Sequence, residues 1–495
     1  MGSNVTNETL ELIKAAQQND ISKTSTFTQS SNAVQGLTAY DLEAPAKKLY
    51  PVLTPLRNTI PRVSGKGGIQ ANWRAITAIN PTGVRAGVSG GNRGAMVPVT
   101  VSNYIAAYAG LGLETAADFE ADFAAEGFDD VKARAVTSGL ESLMLQEEYT
   151  ILGGNNSVAF GQTATPALVG STTGGTLAAN TWSVICVGLS MDGFINGSVT
   201  GGIQAQISRT NTDGSTDTFG GGAAKQSANA TVTTTGTTSS IAATVTAQNG
   251  AVGYAWFWGP SAGSEVLGAI TSINSIVITA AAAGTQTAAS LGTTDYSQNS
   301  LVFDGLLTQA FKPGSNAYIK VMPTGTAGTG TPLTADGSGG INEIDAALKS
   351  LWDNWRLSPD EIWVNSQQAL NISQKILTTG STGAQRFVFN TEQAMLAGGV
   401  MVREYLNRYS MGGAMSIPIK IHPNMPAGTI LIVTHKLPYP MSNVSNVIQM
   451  RLRRDYYQIE WPLRSRRYEY GVYMDGVLQN YAPFSMAVIT NIAAG

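Results

Sequence analysis

The chain has 495 residues and a formal charge of −3, with 43% hydrophobic and 13% charged side chains. That length implies two or three domains, and the near-neutral balance excludes a dedicated nucleic-acid binder. The charged share is about half that of an ordinary soluble domain, which suits either a surface covered by neighbours in a large assembly or an unusually neutral domain. Cys186 is the only cysteine, so an intrachain disulfide and a multi-cysteine metal site are excluded and a buried thiol is expected. The opening MGSNVTNETLELIKAAQQND is polar and lacks an apolar signal core. No apolar stretch approaches the ~20 residues that span a bilayer, so the chain reads as a cytosolic product without a membrane anchor.

Residues 1–61 read as an extended arm. A short helical pattern (Leu10, Ile13, Ala16) gives way to Ser/Thr/Gln-rich chain and then to Pro45, Pro51, Pro55 and Pro61. Prolines at that density break continuous helix and favour extended backbone, and such an arm has few partners of its own. Residues 62–112 read as a long hairpin. In IQANWRAITAIN (69–80), Ile69, Ala71, Trp73 and Ala75 fall on one face at strand spacing, and Val97, Val99 and Val101 alternate on the return. Between them lies a glycine-rich tip, Gly83 to Gly94, carrying Arg85 and Arg93. An isolated hairpin is marginal in water, so this one needs another surface, its own or a neighbour's.

Residues 115–152 read as helix. Asp118, Glu120 and Asp122 load its start with acid, and Val131, Ala135, Leu140, Leu143, Met144 and Ile151 recur at helical spacing. Gly127 breaks it, leaving 129–152 as the main helix, which Gly153-Gly154-Asn155-Asn156 stops. Composition then changes sharply: residues 155–300 carry seven charged side chains, whereas the other 349 residues carry 56. Short β-prone runs such as TWSVICVGL (181–189), GYAWFWG (253–259) and NSIVITA (274–280), separated by turn residues, predict an inserted β-sandwich over 166–297. Tyr254, Trp256, Phe257 and Trp258 argue against disorder there.

A mixed α/β lobe follows, beginning at LVFDGLLTQAF (301–311). Ile341, Ile344, Leu348, Leu351 and Trp355 line one face of a helix over 339–356 that Ser358-Pro359 ends. A strand at 361–365, a helix at 366–377 and strands at 386–390, 417–422 and 428–434 come next. In the tail, 447–495, YEYGVYM, a turn at Asp475-Gly476, VLQNYAP and FSMAVITNI predict an antiparallel sheet.

A search for chemistry finds none. His422 and His435 lie far in sequence from any carboxylate cluster and read as structural. No HExxH, GxSxG, P-loop or CxxC is present. GTAGTG (325–330) reads as a loop, and Asp213-Gly214 and Asp336-Gly337 as turns without the acidic ladder of a calcium site. One charge cluster stands out: Arg451, Arg453, Arg454, Arg464, Arg466 and Arg467, interleaved with Asp455, Glu460, Glu469, Tyr456, Tyr457 and Trp461. Such a mixture can contact nucleic acid, but the interleaved acids favour an intersubunit network of Arg–carboxylate pairs.

QGLTAYDLEAPAKKLYPVLTPLRNTIPR (35–62), ANWRAITAIN with GVRAG and NRG, GLETAADFEADFAAEGFDDVKARA through EEYTILGG (112–154), and TADGSGGINEIDAALKSLWDNWRLSPDEIWVNSQQALNIS (334–373) stand in one order. That ordered set resembles the major capsid protein of tailed bacteriophages, the Hong Kong 97 type of fold; the insert lies outside the match. The resemblance implies an α+β phage major capsid fold: N-arm 1–61, E-loop hairpin 62–112, P-domain spine helix 113–165, inserted immunoglobulin-like β-sandwich 166–297, P-domain connection 298–333, A-domain 334–446 and returning P-domain strands 447–495. It implies a structural protein of the virion capsid, not an enzyme, made in the host cytoplasm, with no cofactor and no metal. Its partners would be itself as pentamers and hexamers, a scaffolding protein and a portal during assembly, packaged dsDNA through weak non-specific contact, and decoration proteins. Candidate intersubunit contacts are Trp73, Arg74, Arg85 and Arg93 on the hairpin, with the six arginines of 451–467. Lys66 is the only lysine between 62 and 112 and lies at the hairpin base, so no crosslink from the tip is expected. The alternatives are an encapsulin-like nanocompartment shell, and behind it a surface adhesin or a hydrolase. The adhesin calls for a secretion signal, and the hydrolase for a nucleophile–base set that cannot be named.

Overall fold

In the computed structural model, which describes residues 47–127, 129–378, 401–413 and 415–493, the proline-rich entry does not stay extended. Pro55 opens a five-residue helix, α1 (Pro55–Thr59), because proline is tolerated in a first helical turn where its missing N–H has no partner to lose. Leu56 and Ile60 are buried in the main core, so this stretch has partners in its own chain. The elements described here belong to one unit, residues 50–126 and 130–495. The pattern at Leu10, Ile13 and Ala16 and the strand expected at 386–390 lie outside the described residues.

After β1 (Arg62–Ser64) the hairpin pairs β2 (Gln70–Ile79) with β3 (Val99–Ala107), with a bulge between Ile76 and Ala78. The chain then forms β4 (Ala109–Asp118), the short α2 (Phe119–Ala124) and the long α3 (Val131–Gly153). Residues 115–118 are therefore strand, not helix: the whole of β4 pairs antiparallel with a later strand, Arg467–Asn480, from Ala109 to Asp118. Ladder bonds along ten residues override the local preference of an Ala/Glu-rich stretch for helix. The Asp130 side chain caps α3 by accepting the Ala133 N–H at 2.9 Å. Gly139 lets the helix lie close on the sheet, since a Cβ there would sit 2.8 Å from Thr115.

The segment expected as an insert, residues 166–297, contains β5 (Ala167–Ser171), β6 (Thr181–Leu189), α4 (Met191–Ile195), β7 (Gln206–Thr210), β8 (Thr216–Gly220), β9 (Ala230–Thr233), β10 (Ser240–Thr244), β11 (Gly253–Gly259), β12 (Val266–Thr271) and β13 (Ser275–Ile278). A three-stranded sheet, β13-β10-β5, and a four-stranded one, β12-β11-β6-β9, share a core of Val184, Cys186, Ile241, Trp256 and Ile278. The second sheet is covered on its other side too, where Val187, Phe257 and Leu267 pack with Ile203 and Leu291. Its two central strands are thus buried on both faces, which explains why TWSVICVGL and GYAWFWG lack polar alternation. This segment is not separate from the rest. Met191 and Val252 belong to the main core, and buried Asn274 and Asn491 bond each other through two contacts of 2.8 and 3.0 Å.

The remaining elements are α5 (Leu306–Phe311), β14 (Tyr318–Val321), α6 (Asn342–Trp355), β15 (Glu361–Val364), α7 (Ser366–Thr378), β16 (Glu404–Asn407), β17 (Met415–Ile421), β18 (Ile430–Val433), β19 (Ile448–Glu460), β20 (Arg467–Asn480) and β21 (Ala487–Thr490). A six-stranded mixed sheet, β14-β21-β18-β15-β17-β16, buries Ile344, Leu348 and Leu351 of α6 against Ile362, Ile430 and Ile432. Arg356 ends α6 three residues before Pro359: it takes φ 56°, and the Leu357 N–H reaches back to the Leu351 carbonyl at 3.2 Å. A second sheet, β1-β19-β20-β4, carries α3. Asp475-Gly476 is not a turn. Both residues lie inside the 14-residue β20, paired with β19 on one side and β4 on the other. The tail strands accordingly divide between two sheets, with β21 in the six-stranded one.

Candidate functional site

Three places concentrate polar or exposed apolar groups, and the first is a buried clamp on α3. Leu140, Leu143, Glu147 and Ile151 share a helical face, so the sequence sets a carboxylate where the core continues. Glu147 and its neighbour Glu148 are fully buried. Glu148 accepts the Leu56 N–H at 2.8 Å and the Arg57 N–H at 2.7 Å, satisfying amides that the first turn of α1 leaves open. Its Oε1 also lies 2.6 Å from His422 Nε2. The Asn424 N–H donates to Nδ1 of that ring at 3.1 Å, which leaves Nε2 as the nitrogen that donates to Glu148.

Glu147 takes Arg57 Nε at 3.2 Å and Arg62 Nη1 at 2.6 Å, and the Tyr456 hydroxyl donates to it. Both guanidinium groups lie over the Tyr456 ring, at 5.0 and 4.9 Å. Burial, followed by the Glu147 charge, pushes the Tyr456 phenol up. Arg62 reaches on to Asp455 at 2.8 Å. Burial works against the charge of Asp455, yet the hydrogen bonds from Arg62 and the Tyr456 amide hold its carboxyl below the ordinary range. The clamp joins α1, α3, β19 and the turn after β17. His422, far from acid in sequence, is against one in space; likewise His435 Nε2 lies 3.3 Å from Glu361. The signal for the clamp was the pair Glu147-Glu148 on an apolar helical face; its partners had none.

The second place is the hairpin. Trp73 stacks on Tyr104 at 5.8 Å and meets Tyr481 edge-on at 5.6 Å, which fixes the base. Beyond it Ile76 pairs with Val101 and Ile79 with Val99, all four exposed. Arg74, Arg85 and Arg93 are exposed as well. At the start of the tip the Asn80 side chain brackets Val84, accepting its N–H at 2.7 Å and donating to its carbonyl at 2.8 Å. An open groove of 390 Å³ beneath the base is lined by Trp73, Tyr104, Ile105, Leu478 and Tyr481.

The third is the arginine band. The structure spreads it along β19, the turn and the start of β20. Arg451 leans on Gln479 at 3.4 Å, Arg453 pairs with Asp475 at 3.0 Å, and Arg454 covers the Tyr457 ring at 4.2 Å. Arg464, Arg466 and Arg467 are exposed at the hairpin tip. Among the described residues no group of three His, Cys, Asp or Glu side chains could hold a metal ion, and no helix is long and apolar enough to cross a membrane. Burial pushes the Cys186 thiol well up.

No family model matches the sequence, and no curated protein matches it. Solved structures do. The chain is similar to an encapsulin complex from Synechococcus elongatus, with TM-score 0.40 and 9% identity over 91% of this chain and 93% of that one. It is similar to the capsid of a native GTA particle, with TM-score 0.41 and 8% identity over 94% and 100%. For the capsid of Myoviridae phage XM1 the TM-score is 0.37, with 10% identity over 91% and 95%.

Proposed function

We propose that this chain is a structural shell subunit, the major capsid protein of a tailed bacteriophage, and that it acts by self-assembly and not by catalysis. One observation carries the reading. The hairpin β2–β3 holds Ile76, Ile79, Val99 and Val101 in water, although a two-stranded ribbon needs another surface. A neighbouring subunit supplies that surface in a shell, and closed symmetry repeats the contact many times. In this reading α3 with the β1-β19-β20-β4 sheet is the peripheral domain, and the six-stranded sheet with α6 and α7 is the axial domain. Pentamers and hexamers close an icosahedral head around dsDNA, with a scaffolding protein and a portal taking part in assembly.

The insert is an immunoglobulin-like decoration of the outer surface, serving shell cohesion or weak adhesion. Support comes from its paired antiparallel sheets around Trp256. Hydrogen bonds and shared core tie it to the body.

Electron microscopy of the purified recombinant chain, alone and with scaffolding protein, tests the proposal. Closed empty heads of uniform size are expected. Small shells filled with host protein would point instead to an encapsulin-like compartment, and a chain that stays monomeric at every concentration would overturn the shell reading.

A further inference from the structure

The β19–β20 hairpin ends in a basic tip, and β4 ends beside it in a short acidic helix, α2. The two are tied together: Arg467 pairs in register with Asp118, and the Phe119 N–H donates to the Arg466 carbonyl at 3.2 Å. The Phe119 ring lies 4.6 Å from Tyr468, whose face also holds Lys132 at 4.6 Å. These contacts fix α2 against the sheet. Arg464, Arg466 and Arg467 lie on this tip, and Asp118, Glu120 and Glu126 lie on α2 or beside its ends, all six exposed. Within the chain one contact links the two sets, Arg467 Nε to Asp118 at 3.7 Å. Asp122 is occupied by Lys132 at 2.9 Å. Among the described residues Arg464, Arg466, Glu120 and Glu126 form no ion pair with their own chain. Beside these charges Phe123 and Leu463 are 63% and 60% exposed.

We infer that this corner is a contact between copies of this chain, in which the basic tip of one docks on the acidic helix of another with Phe123 and Leu463 between them. The inference rests on the shell reading and names the partner of the tip arginines. Balanced charge argues against nucleic acid, because a phosphate approaching the arginines also meets three carboxylates. Exposed apolar side chains within a rim of mixed sign are the make-up of a protein contact, and charge complementarity sets its orientation. A copy that lays its tip on a neighbour's α2 presents its own α2 to the next, so the contact propagates around a closed ring.

Two full-length variants test it, Arg464→Glu/Arg466→Glu and Glu120→Arg/Glu126→Arg, measured by sedimentation velocity separately and mixed. Each alone should associate more weakly than the wild type by roughly tenfold or more, since like charges then face each other. The mixture should recover association, because the reversed tip meets the reversed helix, and added salt should weaken that recovery. Unchanged association of either variant overturns the inference, as does a mixture that stays dissociated while both variants keep the wild-type melting temperature. Should a reversal not fold, Arg464→Gln/Arg466→Gln replaces it, with partial loss expected and unchanged association again overturning. Tip variants that assemble normally but lose DNA would assign the tip to nucleic acid. Wild-type chain that forms no shell while the reversed pair still complements would remove the shell reading and keep the contact. Shells formed alike by wild type and by each variant would do the reverse.

Discussion

The clamp around Glu147 and Glu148 and the hairpin β2–β3 meet opposite physical ends. The clamp takes two carboxylates and an imidazole out of water, sets two half-buried guanidinium groups beside them, and gives every carboxylate oxygen a donor. The hairpin keeps branched apolar side chains in water, with Ile76 65% and Ile105 67% exposed. Buried charge persists only where partners are complete, and exposed apolar surface persists where a partner comes from elsewhere. The clamp is therefore finished within one chain, whereas the hairpin, on the proposed reading, is finished by another.

Four measurements break or sharpen that contrast. The largest effect on folding is expected for Glu148→Ala, which strands two α1 amides and His422 in the core. It should cost about 3–5 kcal/mol in denaturant unfolding, and a loss below about 1 kcal/mol would show the clamp to be dispensable. Next comes Asn274→Ala, which removes the partner of buried Asn491 and should cost about 1–3 kcal/mol. If the insert were an independent module, this change would leave the unfolding of the rest unmoved.

Ile76→Ser/Val101→Ser should leave unfolding within about 0.5 kcal/mol while abolishing closed shells under the microscope. A large drop in stability with normal shells would mean that the hairpin packs on its own subunit. The smallest effect is expected for Asp455→Asn. A carboxyl held below its ordinary range adds stability that is present above its unfolded pKa and disappears as pH falls through the folded one. The variant should therefore be slightly less stable near neutrality and converge with the wild type in strong acid. Parallel stability curves across that range would exclude the Arg62 link as the cause. Asp455 is half exposed, so solvent screening keeps the difference small.

Much of this architecture was legible in residue order. Period-two alternation around a glycine-rich tip marked the hairpin, short β-prone runs marked strands between residues 167 and 278, and apolar spacing marked α6. The errors have a common source. Asp475-Gly476 has the composition of a turn, but a strand on each side holds it straight. Residues 115–118 look helical by composition, but β20 pairs them into a sheet. The arginines of 451–467 read as one cluster, yet the structure sends Arg451, Arg453 and Arg454 to partners in their own chain and leaves the tip arginines free of it, Arg467 excepted. Glu147 and Glu148 were visible as acids on an apolar face, while His422 lies 274 positions away in sequence.

What the sequence determined by itself were features with a local cause: side-chain periodicity, glycine and proline punctuation, and the shift in charge density. What only the tertiary structure decided were partnerships: which strand flanks Asp475-Gly476, which amides Glu148 satisfies, and which face of the insert is covered. Periodicity is set by backbone geometry within a few residues, so it can be read along the chain. A buried hydrogen bond or a strand's neighbour is set by whatever the folded chain brings alongside, and that choice has no signature at either residue alone.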